Sequence, residues 1–139
     1  MATFSSDLML TNQKAAPRLG GQAVTIYAEL AITQAGAGDI FKMIPVPANA
    51  RVIDWGIGSD DIDSNGAPTV TLSLGDNGSA TRYVSGSTLG QSGAAPVDAK
   101  LKTGYGYKFT ADGDIRITVG TGAATFQAGT IRAHVTYVI

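Results

Sequence analysis

Apolar and polar side chains alternate along four stretches of the chain. The longest stretch runs from Val24 to Ile32, and shorter ones begin at Val70, Ile115 and Ile131. A period of two residues is typical of strands that turn one face to a core and the other face outward. Because no stretch shows an equally long helical period, the pattern predicts a nearly all-β chain whose strands are separated by Gly, Asn, Asp and Ser turns.

The strands and their connections predict the architecture. About eight strands with uneven connections are typical of an antiparallel two-sheet sandwich of jelly-roll or Greek-key type. We predict this sandwich over residues 22–139, and we interpret residues 1–21, which alternate little, as an N-terminal arm. Trp55 is expected in the core, on the same face as Ile53 and Ile57. Further strands are predicted at residues 68–75 and 104–110.

Composition narrows the possible partners. Only 15% of the residues are charged and the net charge is −1, whereas about 25% is usual. Such a low charge density favours association, so we expect other chains to cover part of the surface. The scattered basic residues disfavour nucleic acid as a partner. No apolar run approaches the ~20 residues of a membrane helix, and no signal peptide is recognisable, so no membrane partner is expected. The absence of cysteine excludes disulfides and thiolate metal sites.

One loop resembles half of a calcium site. Asp61, Asp63 and Asn65, followed by Gly66, match the first half of a calcium-binding loop, in which alternate oxygens surround the ion. The twelfth position, which needs a bidentate acid, is Leu72, and no helices are expected beside the loop. We therefore interpret residues 60–66 as a solvated acidic turn, with Asp61, Asp63 and Asn65 as the only candidate metal ligands, and we expect no cofactor.

The chain contains few residues of the types that commonly act in catalysis. His134 is the only histidine, and its position in the alternating pattern places it on a polar sheet face with Arg132, where a surface or interface role is expected. Neither a nucleophile-elbow motif nor a phosphate-binding loop is present. Glu29, the only glutamate, lies on the polar side of its strand, so a buried acid is not indicated. We predict that the protein is not an enzyme.

Several strand-and-turn phrases together resemble a known family. These phrases are residues 41–52 (FKMIPVPANARV), 58–63 (GSDDID), 68–76 (PTVTLSLGD) and the segments AGTI and VTYV near the end of the chain. They are similar to the jelly-roll capsid decoration, or cement, proteins of tailed bacteriophages. The resemblance covers about residues 22–139 and leaves the arm outside.

The resemblance implies a function and partners. Proteins of this family sit on the outside of the phage head and bridge neighbouring copies of the major capsid protein. We therefore expect a virion protein, made in the host cytoplasm, that stabilises the head and contacts sister copies as a homodimer or a trimer. The arm, the loop at residues 85–95 and one sheet face are expected to carry the contacts. The candidate contact residues are Phe4, Leu8, Leu10, Leu19, Leu89, Arg132 and His134.

Two other interpretations remain open. A carbohydrate- or receptor-binding β-sandwich module would display exposed, coplanar aromatic rings to a glycan. A small hydrolase would need His134 within hydrogen-bond reach of a nucleophile and an acid.

Overall fold

Nearly all the regular structure consists of strands, as the alternation predicts. The computed structural model describes residues 1–11, 22–94 and 100–139. Its elements are β1 (Thr3–Ser5), α1 (Asp7–Thr11), β2 (Val24–Ile32), β3 (Ile40–Val46), β4 (Arg51–Ser59), β5 (Leu72–Asp76), β6 (Val84–Ser87), a 3-10 turn (Leu89–Gln91), β7 (Gly113–Val119) and β8 (Gly129–Val138). No helix in these ranges is both long and apolar enough to cross a membrane.

Within the described residues, these strands form two sheets. One sheet has five strands in the order β1-β3-β7-β5-β6, and the other has three in the order β2-β8-β4. Every pair is antiparallel except β1 with β3. Buried side chains from both sheets form one core, of which Trp55, Tyr83, Tyr137 and Phe41 are among the largest members. The predicted eight-stranded β-sandwich is confirmed.

A β-bulge changes which side chains of β4 reach the core. Val52 pairs with Tyr137 and Asp54 with Thr136, so Ile53 is an extra residue in the ladder. The bulge lets both Val52 and Trp55 face the core, where Trp55 is 1% exposed, and it leaves Ile53 41% exposed. The prediction for Trp55 is confirmed, whereas the placement of Ile53 on the same face is wrong.

Two predicted strands have different bounds. The segment predicted at 68–75 becomes regular only at Leu72, because the N–H groups of Thr69 and Val70 donate to a side chain, Asp63, and not to a neighbouring strand. The segment predicted at 104–110 consists mostly of turns, with one isolated bridge between Lys108 and Arg51.

The first residues are attached to the five-stranded sheet. β1 lies parallel to β3, and the Phe4 ring stacks on Phe41 with 5.3 Å between ring centroids. The N–H of Ser6 donates to the carbonyl of Lys42 at 2.9 Å. Of the segment predicted as an arm, residues 1–11 therefore extend the sandwich, and residues 12–21 lie outside the described ranges.

Candidate interaction surfaces

The outer face of the three-stranded sheet carries two of the predicted contact residues. Along β8, Ile131, Ala133 and Val135 are buried, and the alternate residues Arg132 and His134 point outward and are half-buried. This alternation follows directly from the pleat of the strand. The sequence therefore placed Arg132 and His134 on the correct face.

Two glycines of β4 shape this face into a groove. Gly56 lies opposite His134, and Gly58 lies opposite Arg132. A Cβ atom on Gly56 would come within 2.2 Å of Cε1 of His134, so the missing side chain makes room for the imidazole to lie against the β4 backbone. The result is an open cavity of about 220 Å³, which Tyr27 also lines. The local sequence around Gly56 gives no hint of this groove, because His134 reaches it only through strand pairing.

Beside the groove, the cation of Arg132 lies between the carboxylates of Asp60 and Glu29. Arg132 Nη1 donates to Asp60 Oδ1 at 2.9 Å, and its Nε lies 3.9 Å from Glu29 Oε2. The Tyr27 hydroxyl donates to the same Glu29 oxygen at 2.9 Å, and this bond raises the pKa of Tyr27. Hydrogen bonds from the Thr130 N–H and from Arg132 lower the pKa of Asp60. The face is therefore polar without a strong charge of either sign.

The surroundings of His134 do not form a catalytic triad. In the described part of the chain, no hydrogen bond joins its imidazole to a nucleophile or to an acid. The acid that interacts with it electrostatically is Asp54, whose carboxylate is paired with Lys100, and this pairing lowers the pKa of Asp54. The arrangement that a hydrolase requires is not present in these ranges.

The other predicted contact residues lie apart from this face. Phe4 stacks on Phe41, and Leu8 packs against the core from α1. Leu10 is 73% exposed, whereas Leu19 lies outside the described residues. Leu89 is only 2% exposed.

The expectation of an exposed contact at Leu89 is therefore wrong for its side chain. The 3-10 turn folds back on the domain, where the carbonyl of Gly90 accepts the N–H of Ile62 at 2.9 Å. The loop predicted at residues 85–95 also includes the end of β6.

The acidic turn contains a buried carboxylate, that of Asp63, which connects parts of the backbone. Asp63 is 1% exposed, and its carboxylate accepts five backbone N–H groups, which belong to Asn65, Thr69, Val70, Ala124 and Thr125. Burial acts to raise the pKa of Asp63, but these hydrogen bonds outweigh it and hold the pKa well below its usual range.

The geometry of the acidic turn differs from that of a calcium-binding loop. Donors, not a cation, occupy the lone pairs of Asp63, and Asp61 Oδ1 accepts the N–H of Asp63 at 3.1 Å. Asn65 Oδ1 accepts the N–H of Ala67. No group of three or more metal-ligating His, Asp or Glu side chains occurs within residues 1–11, 22–94 and 100–139. The prediction of a solvated turn is wrong for Asp63, because its carboxylate joins the loop at 63–70 to the loop at 124–125.

A second buried carboxylate, not singled out from the sequence, organises one end of the sandwich. Asp76 accepts the side chain of Arg82 (Nε to Oδ2, 2.5 Å), the hydroxyl of Tyr83 at 3.0 Å and the N–H groups of Gly78 and Ser79. Burial raises the pKa of Tyr83, and Asp76 raises it further. The only signal in the sequence was the turn motif at residues 76–78.

The aromatic side chains near this end do not form a flat platform. The guanidinium of Arg82 lies 3.6 Å from the Tyr107 ring centroid. Tyr105 is 53% exposed and contacts Trp55 at 4.5 Å between centroids, with the ring planes inclined by 52°. The coplanar exposed rings that a glycan-binding module would display are absent from the described residues.

Comparisons with known proteins identify the relatives of this fold. No protein-family model and no curated protein matches the chain. Among solved structures, a chain in the capsid of Ralstonia phage GP4 is 27% identical, with 98% of this chain and 97% of that chain aligned and a TM-score of 0.83. A chain in the acid-stable capsid of Helicobacter pylori bacteriophage KHP30 is 14% identical over 85% of this chain and 92% of that one, with a TM-score of 0.51, and shows a shared fold alone.

A third match is closer in sequence. A chain in the capsid asymmetric unit of cyanophage Pam1 is 38% identical, with a TM-score of 0.76, over 90% of this chain and 91% of that chain. Identity at this level over nearly the full length of both chains shows common descent as well as a common fold. The chain therefore belongs to the same family as the Pam1 chain, a family of bacteriophage capsid proteins.

Proposed function

We propose that this capsid protein is a decoration, or cement, protein, which binds the outside of a phage head and joins neighbouring copies of the major capsid protein. The observation that carries the proposal is the nearly full-length match of this 139-residue chain to chains in phage capsids. The matched chains have almost the same length as this one, so they too are small blocks within a larger particle.

The surface supports a binding role. The groove beside Gly56 and His134 is lined by polar side chains on a sheet, and the two carboxylates paired with Arg132 leave the face only weakly negative. Away from this face, Leu10 exposes an apolar side chain on α1. A face of this kind binds through shape and hydrogen bonds and not through long-range attraction.

Head stabilisation follows from the number of copies. A contact buries apolar surface at about 25 cal/mol per Å², so one small footprint contributes little by itself. Many copies on a closed shell act together, because opening the shell breaks their contacts at the same time. Small contacts that are individually reversible can therefore stabilise a whole head.

The test uses heads assembled without this protein. We expect the purified chain to co-sediment with such heads and to raise the temperature at which they release DNA to a dye. The variant Gly56→Ala, which forces His134 out of the groove, should reduce the occupancy. Gly66→Ala is the matched control, since a Cβ atom at Gly66 meets no other atom within 4 Å and the residue lies on a loop outside this face.

Three outcomes would contradict the proposal. Bare heads could fail to bind the chain, bound chain could leave the release temperature unchanged, or heads could fail to assemble without it, which would indicate a shell subunit. Binding to host cells or to a glycan array, with no binding to heads, would support the receptor-binding alternative.

A further inference from the structure

A short chain segment extends the three-stranded sheet beside the beginning of β4. Lys108 forms an isolated antiparallel bridge with Arg51, and the N–H of Val52 donates to the carbonyl of Tyr107 at 2.9 Å. Residues that lie opposite each other in an antiparallel pair project to the same side, with Cβ atoms roughly 4.5–5.5 Å apart. Because Val52 is buried, the side chains of Arg51 and Lys108 project together on the outer face of this sheet.

These two cations repel each other in the free protein. Like charges directly opposite each other on paired strands are destabilising. Arg51 Nη1 donates to the carbonyl of Gly106 at 2.8 Å, which is a neutral acceptor. Both side chains are exposed, and in the described part of the chain neither forms an ion pair. By contrast, carboxylates pair with Arg82, Lys100, Arg116 and Arg132.

The β-bulge of β4 adds an apolar side chain to the same surface. Ile53, the extra residue of the bulge, is 41% exposed. Arg51 pairs with Val138 of β8, which is half-buried and also projects outward. Bulges often redirect a side chain beside a functional site, and this bulge exposes an isoleucine next to two cations. We call the surface formed by Arg51, Ile53, Lys108 and Val138 the corner patch.

The corner patch and the groove at His134 belong to one face. Both lie on the outer side of the paired strands β4 and β8. Between them on β4 lies Asp54, whose carboxylate is already paired with Lys100. The groove end of this face is weakly negative and the corner patch is positive, so the charge changes sign along β4. A partner with the complementary charges can therefore dock in only one orientation along the strand.

We propose that the corner patch binds an acidic segment of the major capsid protein, in which an apolar side chain stands beside an aspartate or a glutamate. The carboxylate accepts hydrogen bonds from Arg51 and Lys108, and the apolar side chain packs on Ile53. A nucleic-acid backbone is a poorer fit, because it requires a longer track of basic residues. The inference rests on the proposed function, since it names the partner chemistry of that same face.

The variant Lys108→Glu separates this proposal from a purely structural role. A glutamate at this position faces Arg51 and replaces repulsion with attraction, so the Tm of the isolated variant should rise by about 1–3 °C. The same change should weaken binding to heads assembled without the protein by at least about tenfold in Kd, because the partner's carboxylate then meets a negative charge. Stability and binding change in opposite directions, which a folding defect cannot produce.

Two further variants complete the test. Ile53→Thr keeps a β-branched side chain on the bulge, so it should leave Tm nearly unchanged and should lower the occupancy of heads. Lys42→Glu is the matched control for charge. It changes the net charge by the same amount on the other sheet, where the glutamate lies opposite Arg116, and it should bind heads as well as the unmodified protein does.

Several results would overturn the proposal. Lys108→Glu could bind heads as tightly as the unmodified protein, Lys42→Glu could lose as much binding, or Lys108→Glu could have a lower Tm. Binding of the unmodified chain to duplex DNA that Lys108→Glu abolishes, with head binding intact, would assign the corner patch to nucleic acid. In each of these cases the unmodified protein still binds heads, so the proposed function stands. Failure of the unmodified protein to bind heads would contradict both.

Discussion

Removal of the Asp76 carboxylate is expected to weaken one end of the sandwich by a calculable amount. The side chain of Asp76 is 1% exposed and that of Arg82 is 19% exposed. Tyr83, whose hydroxyl also binds Asp76, is fully buried. In the variant Asp76→Ala, the hydroxyl of Tyr83 and the turn N–H groups lose their acceptor, whereas Arg82 can rotate toward water.

The magnitude follows from these exposures. Breaking a buried ion pair by removing one partner costs about 3–5 kcal/mol, and the partial exposure of Arg82 places this case near the lower value, about 3 kcal/mol. Tyr83→Phe removes one hydrogen bond and leaves Asp76 its other donors, so we expect a loss of about 1 kcal/mol. The double variant should cost less than the sum of the two, because Tyr83→Phe removes the hydroxyl that Asp76→Ala leaves unpaired.

The assay is urea unfolding followed by tryptophan fluorescence at neutral pH. Trp55 is the only tryptophan, it is 1% exposed, and its ring centroid lies 5.1 Å from that of Tyr83, so its emission reports loss of this core. Additive losses in the double variant, or a loss below about 1 kcal/mol for Asp76→Ala, would refute the reasoning from buried hydrogen bonds.

Four further results are expected. Asp63→Asn should lower Tm far more than Asp61→Asn, because an amide nitrogen cannot accept the N–H groups that the Asp63 carboxylate accepts, and circular dichroism melts will measure the difference. The pKa of Asp63 is lowered in the folded state, so the Asp63 carboxylate stabilises the fold fully above the unfolded pKa of about 3.9 and less as the pH falls below that value. The stability deficit of Asp63→Asn should therefore shrink on acidification. A deficit that grows would contradict the role of Asp63 as a buried anion. Millimolar calcium should leave Tm unchanged, and a rise that Asp61→Asn abolishes would show that the acidic loop binds the ion. Phe4→Ala should cost about 1–2 kcal/mol, less than a fully buried phenylalanine, and an unchanged urea midpoint would show that β1 is not docked on β3.

The alternating pattern was sufficient to predict the fold class and the outward face of β8. Both follow from the two-residue period of a strand, which Ile131, Ala133 and Val135 display without interruption. The prediction from this period was wrong at Ile53, because a bulge adds one residue and reverses the alternation after it. A bulge depends on the pairing of strands that are distant in the chain, so the local pattern of apolar and polar residues does not reveal it.

Polar residues were harder to interpret for a related reason. Asp63 lies in a segment rich in acidic and turn residues, and such composition is typical of a solvated loop. Its burial depends on N–H groups from residues 124 and 125, about sixty positions later in the chain, which only the folded topology brings within reach. The prediction for Leu89 was wrong for a similar reason. A loop rich in Gly and Ser gives no sign that the side chain of its one leucine turns inward.

The three-stranded sheet can serve two purposes because its two faces are geometrically separate. Its inner face closes the core, and its outer face carries the groove at Gly56 and His134. Under the proposed function, many copies of this groove act on one closed shell. Opening the shell breaks their contacts at the same time, so contacts that are modest individually stabilise the head with much greater avidity.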